Sequence, residues 1–151
     1  MRKIILALTI SLLFFNCKTN SKKERITGLI TEKAMVVSAR EEASKIGSDI
    51  LKKGGNAYDA MVATQLALAV VYPVAGNIGG GGFMVYRTNN GKTGALDFRE
   101  KAPLNASKDM YLDTEGNVIK GKSSFGIHSV GVPGTIAGLF EVHHKFGGLP
   151  F

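Results

Sequence analysis

The sequence predicts a mixed α/β fold, and three observations support this prediction. Apolar residues recur at helical spacing in two consecutive stretches, 41–53 and 56–72. Two β-prone segments follow and are separated by an Asn-Gly pair, the signature of a tight hairpin turn. A third helical stretch comes near the end of the sequence. With 151 residues, of which 44% are hydrophobic, the chain is long enough to form about one globular domain with its own core.

The first half is predicted to contain one strand and two helices. Ala34–Ser38 is a short apolar run with two valines, which is typical of a strand. Glu41–Lys53 places its apolar residues on one face and its charges on the other, as in a surface helix. Asn56 is expected to cap a second helix that reaches about Tyr72, and the scarcity of polar residues along it indicates burial. Pro73 predicts the end of this helix, followed by a loop.

The second half is predicted to contain a hairpin and a final helix. Phe83–Arg87 and Lys92–Phe98 are β-prone, and the turn at Asn89–Gly91 between them is expected to have positive φ angles. The remaining predicted elements are a turn at 113–117, a short strand at Val130–Val132, and a helix that begins at Pro133 and extends to about Phe146. The sequence ends on the apolar Phe151 soon after this helix, which predicts a fold that continues beyond it.

The first residues have the pattern of an export signal. Arg2 and Lys3 precede an apolar run at 4–15 that is too short to span a bilayer as a stable helix. Cys17 follows this run and is the only cysteine, so no intramolecular disulfide can form. We expect residues 1–17 to be a signal segment and Cys17 to be a lipid-attachment site; the alternative is cleavage nearby with Cys17 incidental. The expected location is therefore periplasmic or extracellular, with the protein anchored to a membrane as a lipoprotein.

The net charge of +7 is concentrated at the N-terminus. The signal segment contributes two of these charges and 18–25 contributes a net three, which leaves a net +2 for all residues from Ile26 onward. A basic segment rich in Ser, Thr and Asn after a signal is typical of a tether, here 18–33, rather than of a nucleic-acid-binding arm. We therefore expect 34–151 to form the folded part and nucleic acid not to be a partner.

Four consecutive glycines, Gly79, Gly80, Gly81 and Gly82, precede the first hairpin strand. They remove every Cβ from this backbone, which allows positive φ and close approach by a ligand or another segment. Phosphate-binding loops have the order strand, glycines, helix, whereas here a helix and a loop precede the glycines and a strand follows them. Backbone packing beside a substrate pocket is therefore favoured over phosphate binding, and a purely structural crossing of two segments remains open.

Two other motifs do not indicate a cofactor or a metal. The Gly-Lys-Thr segment at 91–93 resembles the end of a phosphate-binding P-loop, but the required leading glycine would have to stand at Tyr86. His143 and His144 are adjacent and therefore point to different faces of a helix, and His128 is isolated. We expect neither a metal site nor a bound cofactor.

Arg99 is the candidate substrate-binding residue. It follows an apolar strand, is flanked by Asp97 and Glu100, and precedes Lys101, so it stands where a strand exits into a loop. A planar guanidinium can bind a carboxylate through two parallel charge-assisted hydrogen bonds. A surface ion pair between Arg99 and one of its acidic neighbours is the alternative. No nearby pattern indicates a nucleophile with its base, so no catalytic residue is assigned.

Several distinctive segments follow one another in this chain. They are Leu51–Ala57 with Asp59-Ala60, Gly79–Met84, Ala95–Glu100 with Ala102-Pro103, Val130–Thr135 and Phe146–Pro150. In this order they resemble the γ-glutamyltranspeptidases, also called glutathione hydrolases, of the N-terminal nucleophile hydrolase superfamily. The resemblance extends from about Ala34 to Phe151 and departs from the family at Arg40-Glu41, where His-Pro is common.

The resemblance implies a partial four-layer α/β/β/α sandwich in a precursor that cuts itself into a large and a small subunit. The new N-terminal threonine of the small subunit would attack the γ-glutamyl amide and form an acyl-enzyme, with its own α-amino group as the base. The acyl group would then pass to water, an amino acid or a peptide. Arg99 matches the arginine that binds the α-carboxylate of γ-glutamyl substrates such as glutathione.

The resemblance also implies that the nucleophile lies downstream, because no threonine before Phe151 matches it. The chain is therefore interpreted as an N-terminal fragment of the large subunit that is inactive alone. Its expected partners are the remainder of the large subunit and the small subunit of the same precursor. Two other functions stay open: a related acylase of the same family, and a non-enzymatic lipoprotein that binds an amino acid or a peptide.

Overall fold

The computed structural model describes residues 28–151. The expected signal segment, the candidate lipidation site Cys17 and most of the expected tether lie outside the described residues. The chain divides into two units after Glu32, and the described residues of the first unit contain neither helix nor strand. Within 28–151, no helix has the length and apolar character needed to cross a membrane.

The described residues contain four α-helices, one two-stranded sheet and one short 3₁₀ helix. In chain order these are α1 (Glu41–Lys52), α2 (Ala57–Val71), α3 (Pro73–Gly76), β1 (Phe83–Arg87), β2 (Thr93–Asp97), the 3₁₀ helix (Ile127–Ser129) and α4 (Thr135–Phe146). The predicted mixed α/β class is confirmed, and so are the three long helices and the hairpin. The described residues form one two-stranded sheet, so the partial four-layer sandwich is not confirmed and stays a prediction.

α1 packs on α2 through small residues. Ala43 and Gly47 are the buried residues of α1. A Cβ atom added at Gly47 would overlap the hydroxyl of Thr64 and would lie 3.2 Å from the carbonyl oxygen of Ala60, both on α2. The two helices can therefore approach this closely only because residue 47 has no side chain.

Asn56 caps α2 as predicted. Its side-chain oxygen accepts the backbone N–H groups of Tyr58 at 2.8 Å and Asp59 at 3.1 Å, and the Asp59 carboxylate accepts the N–H of Asn56 at 2.8 Å. This reciprocal capping box satisfies donors that have no partner inside the helix. The predicted burial of α2 applies to one side only, since Val62 is buried whereas Val70 is exposed.

β1 and β2 pair antiparallel over their full length, and two hydrogen bonds between Gly82 and Phe98, of 3.0 and 3.3 Å, continue the pairing by one residue pair. One face of the hairpin packs on α2 and α4, whereas Phe83 and Val85 on the other face are 65% and 84% exposed. The buried core contains Val62, Met84, Leu139 and Val142. The sheet is thus covered on one side by the described residues.

The hairpin turn differs in detail from the prediction. Gly91 has a φ of 86°, but no other residue of the turn has a positive φ, so the expectation of several positive angles is wrong. The N–H of Gly91 donates to the carbonyl oxygen of Thr88 at 2.9 Å. The side-chain oxygen of Asn90 accepts the Thr88 hydroxyl and the N–H of Lys92. Asn90 therefore stabilises the turn through its side chain rather than through its backbone angles.

Two predicted strands do not form. Ala34–Ser38 has no partner strand among residues 28–151, and Val36 within it lies against α1, where a Cβ at Gly47 would be 2.9 Å from its Cγ1 atom. Val130–Val132 makes a single isolated bridge, from its last residue to Lys101. A β-prone sequence becomes a strand only beside a free edge with which it can pair.

Two helix boundaries also differ from the prediction. Pro73 ends α2 as expected, but it then begins the short helix α3 instead of a loop, because its fixed φ suits the first turn of a helix. α4 begins at Thr135 rather than at Pro133. The predicted turn at 113–117 is confirmed, with Gly116 at a φ of 86°.

Candidate functional site

The candidate site is the segment in which β2 exits into a loop. Phe98 is still paired with Gly82, and Arg99 is the first residue beyond this pairing. Side chains alternate between the two faces of a strand. The ring of Phe98 accordingly contacts α4 at Gly138, whereas the guanidinium of Arg99 lies over the ring of Phe83 on the other face. The hairpin therefore places Arg99 on its exposed face.

Only one of the five N–H donors of the Arg99 guanidinium forms a hydrogen bond within the described residues. Its side chain is 57% exposed, its Nε donates to Oε2 of Glu100 at 2.9 Å, and its guanidinium carbon is 5.6 Å from the centre of the Phe83 ring. Among residues 28–151, no protein acceptor lies within hydrogen-bond distance of its two terminal Nη groups. The surface ion pair, which was the alternative expectation, is therefore present, and substrate binding by the two Nη groups stays a prediction.

The acidic neighbours hold Arg99 in two different ways. The carboxylate of Asp97 accepts the backbone N–H of Arg99 at 2.9 Å, which fixes the main chain as it leaves the strand. The carboxylate of Glu100 accepts from the side chain. The backbone N–H of Glu100 itself and the guanidinium of Arg99 lower the pKa of the Glu100 carboxyl below its usual value. Glu100 therefore stays ionised at neutral pH and keeps its attraction for Arg99.

The glycine run packs directly against this segment. A Cβ at Gly81 would lie 2.6 Å from the carbonyl oxygen of Phe98 and 2.7 Å from the Cα of Arg99. The carbonyl oxygen of Gly80 accepts the N–H groups of Gly134 and Thr135 at 2.8 and 3.1 Å. None of the glycines 79–82 has a positive φ, so close approach is what they provide.

This arrangement does not resemble a phosphate cradle. The first N–H groups of α4, which could bind an anion, donate to the carbonyl oxygen of Gly80 instead. Gly79 is bonded through its N–H to the side-chain oxygen of Asn77 at 3.0 Å. The N–H of Gly79, the carbonyl oxygen of Gly80 and both backbone groups of Gly82 thus bond within the chain.

A groove of about 400 Å³ opens beside Arg99, between the end of β2 and α4. Its strand side is formed by Leu96, Asp97, Phe98, Arg99 and Lys101, and its helix side by Val132, Pro133, Gly134, Ala137, Gly138 and Glu141. Of the described residues, no three or more His, Cys, Asp or Glu side chains lie close enough together to hold a metal ion. The groove therefore lies along the segment that contains Arg99, on the side of α4.

Sequence reasoning missed the contribution of α4 to this site. Gly134 and Gly138 touch Phe98, and Thr135 donates to the glycine run. The signal was present as a glycine inside an otherwise apolar helical stretch, which usually marks a close contact. What it contacts could not be read from the sequence.

A family model described as Gamma-glutamyltranspeptidase matches residues 43–151. The chain belongs to the γ-glutamyltranspeptidase family. This confirms the resemblance drawn from the ordered motifs between Leu51 and Pro150. It also connects the Arg99 segment, which lies inside the matched region, to a family of enzymes.

Individual members of the γ-glutamyltranspeptidase family are closely similar to this chain. It is 52% identical over 145 residues to the glutathione hydrolase proenzyme of Pseudomonas sp. (strain A14), covering 96% of this chain and 24% of that protein. It is 54% identical over 116 residues to the proenzyme of Pseudomonas aeruginosa, covering 77% and 21%. The crystal structure of Helicobacter pylori γ-glutamyltranspeptidase matches with a TM-score of 0.77 and 50% identity, over 82% of this chain and 35% of that one. The chain thus spans no more than 24% of the length of these two curated relatives.

Proposed function

We propose that this chain is the N-terminal part of the large subunit of a γ-glutamyltranspeptidase precursor, and that Arg99 binds the α-carboxylate of a γ-glutamyl donor such as glutathione. The observation that supports this proposal is the bonding of Arg99: its Nε donates to Glu100, while neither Nη group forms a hydrogen bond to the described residues. The family membership supports it, because the relatives are named glutathione hydrolases.

The chemistry of Arg99 suits this role. Two parallel hydrogen bonds from a guanidinium to a carboxylate each contribute about 1.5–3 kcal/mol in favourable cases. Such binding requires that the fork be held in one orientation. The ion pair with Glu100 and the cation–π contact with the Phe83 ring are the two contacts that would hold it.

The proposed reaction is the cleavage of a γ-glutamyl amide. The hydroxyl of an N-terminal threonine adds to the γ-carbonyl carbon while the threonine α-amino group takes the proton; the C–N bond then breaks and the departing amine receives that proton. Water, an amino acid or a peptide releases the acyl group in the second step. The threonine and the donors that stabilise the oxyanion would belong to the rest of the precursor, so residues 1–151 alone are expected to be inactive.

We also propose that the rest of the precursor covers the open face of the hairpin. Phe83 and Val85 are large apolar side chains that lie on the same exposed face of β1. An apolar sheet face is stable when a second layer packs on it, as in a four-layer sandwich. The remainder of the large subunit and the small subunit are the proposed source of that layer.

The export proposal rests on the sequence of the first residues. The signal pattern and the single Cys17 support a lipid-anchored protein outside the cytoplasm. Replacing Cys17 by Ser in the complete protein should abolish incorporation of radioactive palmitate. Membrane association that persists in the Cys17→Ser protein without label would indicate an uncleaved signal instead.

The function is tested in the complete protein that contains this segment. Purified protein should appear as two chains after self-cleavage and should release p-nitroaniline from γ-glutamyl-p-nitroanilide; residues 1–151 alone, assayed in parallel, should not. A protein that stays in one piece and binds a free amino acid without turnover would support the binding-lipoprotein alternative. Hydrolysis of β-lactam side chains in place of γ-glutamyl amides would support the acylase alternative.

A further inference from the structure

We propose that Gly138 is a positioning residue for Arg99, acting through the ring of Phe98; this inference rests on the proposed role of Arg99. Gly138 lies on α4, and the atoms nearest to a Cβ placed there all belong to Phe98. Gly138 therefore contacts the residue immediately before Arg99.

Phe98 is enclosed on both sides by glycines. Its main chain is bonded to Gly82 through both its N–H and its carbonyl oxygen. A Cβ at Gly82 would lie 3.0 Å from the ring atom Cε2, and a Cβ at Gly138 would overlap Cγ and lie 2.6 Å from Cδ2. The ring therefore fits between β1 and α4 only because neither position has a side chain.

α4 is fixed at its first turn. The N–H groups of Gly134 and Thr135 donate to the carbonyl oxygen of Gly80, and a Cβ at Gly134 would overlap the carbonyl oxygen of Phe98. The start of the helix is thus held on the glycine run and on the Phe98 main chain together. It cannot move away from Phe98 without breaking these bonds.

The other end of α4 is fixed by the start of α2. The carboxylate of Asp59 accepts the N–H of Gly148 at 3.0 and 3.1 Å and that of Leu149 at 3.4 Å. The side-chain nitrogen of Asn56 donates to the carbonyl oxygen of Phe146 at 2.7 Å. With both ends held, a side chain added in the middle of α4 must displace Phe98 rather than the helix.

Phe98 and Arg99 are joined by one peptide bond, so a displacement of the Phe98 main chain also displaces Arg99. The main chain of Arg99 also packs closely against Gly81, since a Cβ at Gly81 would lie 2.7 Å from the Cα of Arg99. A shift of the Phe98 main chain would therefore change the direction of the guanidinium relative to Phe83 and Glu100. Displacements of about 0.5–1 Å are enough to weaken binding by a preorganised group.

Gly47 on α1 offers a matched control. It is also a buried helical glycine, and a Cβ there would overlap the hydroxyl of Thr64. Its contacts are with α2 and Val36 and not with the Arg99 segment. Gly47→Ala should therefore reproduce the destabilisation caused by Gly138→Ala without changing the position of Arg99.

The experiment compares KM, kcat and Tm of the complete protein for Gly138→Ala, Gly47→Ala and Arg99→Lys, with γ-glutamyl-p-nitroanilide as the substrate. Gly138→Ala should raise KM by about fivefold or more with a smaller change in kcat, as expected when ground-state binding is lost. Gly47→Ala should lower Tm to a similar extent and change KM by less than about twofold. Adding Phe98→Leu to Gly138→Ala should return KM toward that of the wild type, because the smaller side chain makes room for the methyl group.

Equal KM values for Gly138→Ala and Gly47→Ala, with a raised KM for Arg99→Lys, would overturn the positioning role and leave the proposed function in place. An unchanged KM for Arg99→Lys would overturn both the positioning role of Gly138 and the proposed role of Arg99. If Gly138→Ala does not yield folded protein, KM of the single variant Phe98→Leu tests the inference instead. This variant leaves a gap beside Gly138, whereas Gly138→Ala creates an overlap with the Phe98 ring. A raised KM with kcat retained supports the inference, and an unchanged KM overturns it.

Discussion

Arg99 and Asp59 are both charged side chains at the end of a secondary-structure element, but the fold uses them differently. The Asp59 side chain is 4% exposed, and its carboxylate accepts N–H groups from Asn56, Gly148 and Leu149. The Arg99 side chain is 57% exposed and uses only its Nε within the described residues. The carboxylate of Asp59 is thus used within the fold, whereas the two Nη groups of Arg99 form no hydrogen bond within the described residues.

The pKa of Asp59 reflects this use. Burial alone raises the pKa of the carboxyl, but the N–H groups of Asn56, Gly148 and Leu149, followed by the nearby His143, together outweigh burial and leave the pKa lower than its ordinary value. The folded protein therefore keeps Asp59 ionised. The carboxylate stays charged because backbone N–H groups from two distant segments donate hydrogen bonds to it.

The largest expected effect on stability is that of Asp59→Ala. Removal of the buried carboxylate takes away the charged acceptor of the N–H groups of Asn56, Gly148 and Leu149, which should lower the free energy of unfolding by about 3–5 kcal/mol. KM for a γ-glutamyl substrate, measured at a temperature where the variant is folded, should change little. The control is Asp49→Ala on α1, whose exposed pairs with Lys45 and Lys52 should matter far less. If urea unfolding gave similar losses of unfolding free energy for the two variants, the hydrogen bonds of Asp59 would contribute no more than the exposed ion pairs of Asp49.

The contribution of Asp59 should also depend on pH. Because its pKa is lower in the folded than in the unfolded protein, its stabilisation is complete above the ordinary value of 3.8 and is lost as the pH falls from there through the folded pKa. The difference in unfolding free energy between the wild type and Asp59→Asn should therefore be constant near neutral pH and shrink below about pH 4. If this difference in unfolding free energy grew as the pH fell, the lowered pKa of Asp59 in the folded protein would be wrong.

A smaller effect is expected inside the glycine run, where two neighbours should behave differently. A Cβ at Gly81 would meet main-chain atoms of Phe98 and Arg99, which cannot turn aside, so Gly81→Ala should cost about 1–3 kcal/mol and raise KM. A Cβ at Gly79 would only reach the side chain of Asn77 at 3.4 Å. Gly79→Ala should therefore leave both the free energy of unfolding and KM nearly unchanged. Equal effects of the two substitutions would mean that the close contact with Arg99 is not what requires glycine.

Local features could be predicted from the sequence. The long helices, the cap at Asn56 and the hairpin around Gly91 depend on residues within a few positions of one another, and all of them are present. Ala34–Ser38 failed as a strand because strand formation depends on a partner edge, which the local sequence does not specify. Arg99 could be selected because a charged residue at a strand exit is a local pattern.

Long-range contacts could not be predicted in the same way. The bonds from Gly148 and Leu149 to Asp59 join residues 89 and 90 positions apart. The sequence identified Asp59 only as an acidic residue in the first turn of α2. The contact of Gly138 with Phe98 likewise depends on how α4 packs on the hairpin. Such packing is decided by the whole core rather than by any one segment.

The proposed binding of the substrate α-carboxylate by Arg99 can be tested by comparing two enzymes on two substrates. The wild type and Arg99→Lys are compared on γ-glutamyl-p-nitroanilide and on 4-aminobutyryl-p-nitroanilide, which lacks only that carboxylate. Arg99→Lys should raise KM for the first substrate by about 10- to 100-fold, because the lysine cannot make two parallel bonds, and should leave self-cleavage intact. For the second substrate the two enzymes should have the same KM. A KM for γ-glutamyl-p-nitroanilide that is unchanged in Arg99→Lys, or an equal rise for both substrates, would contradict the claim.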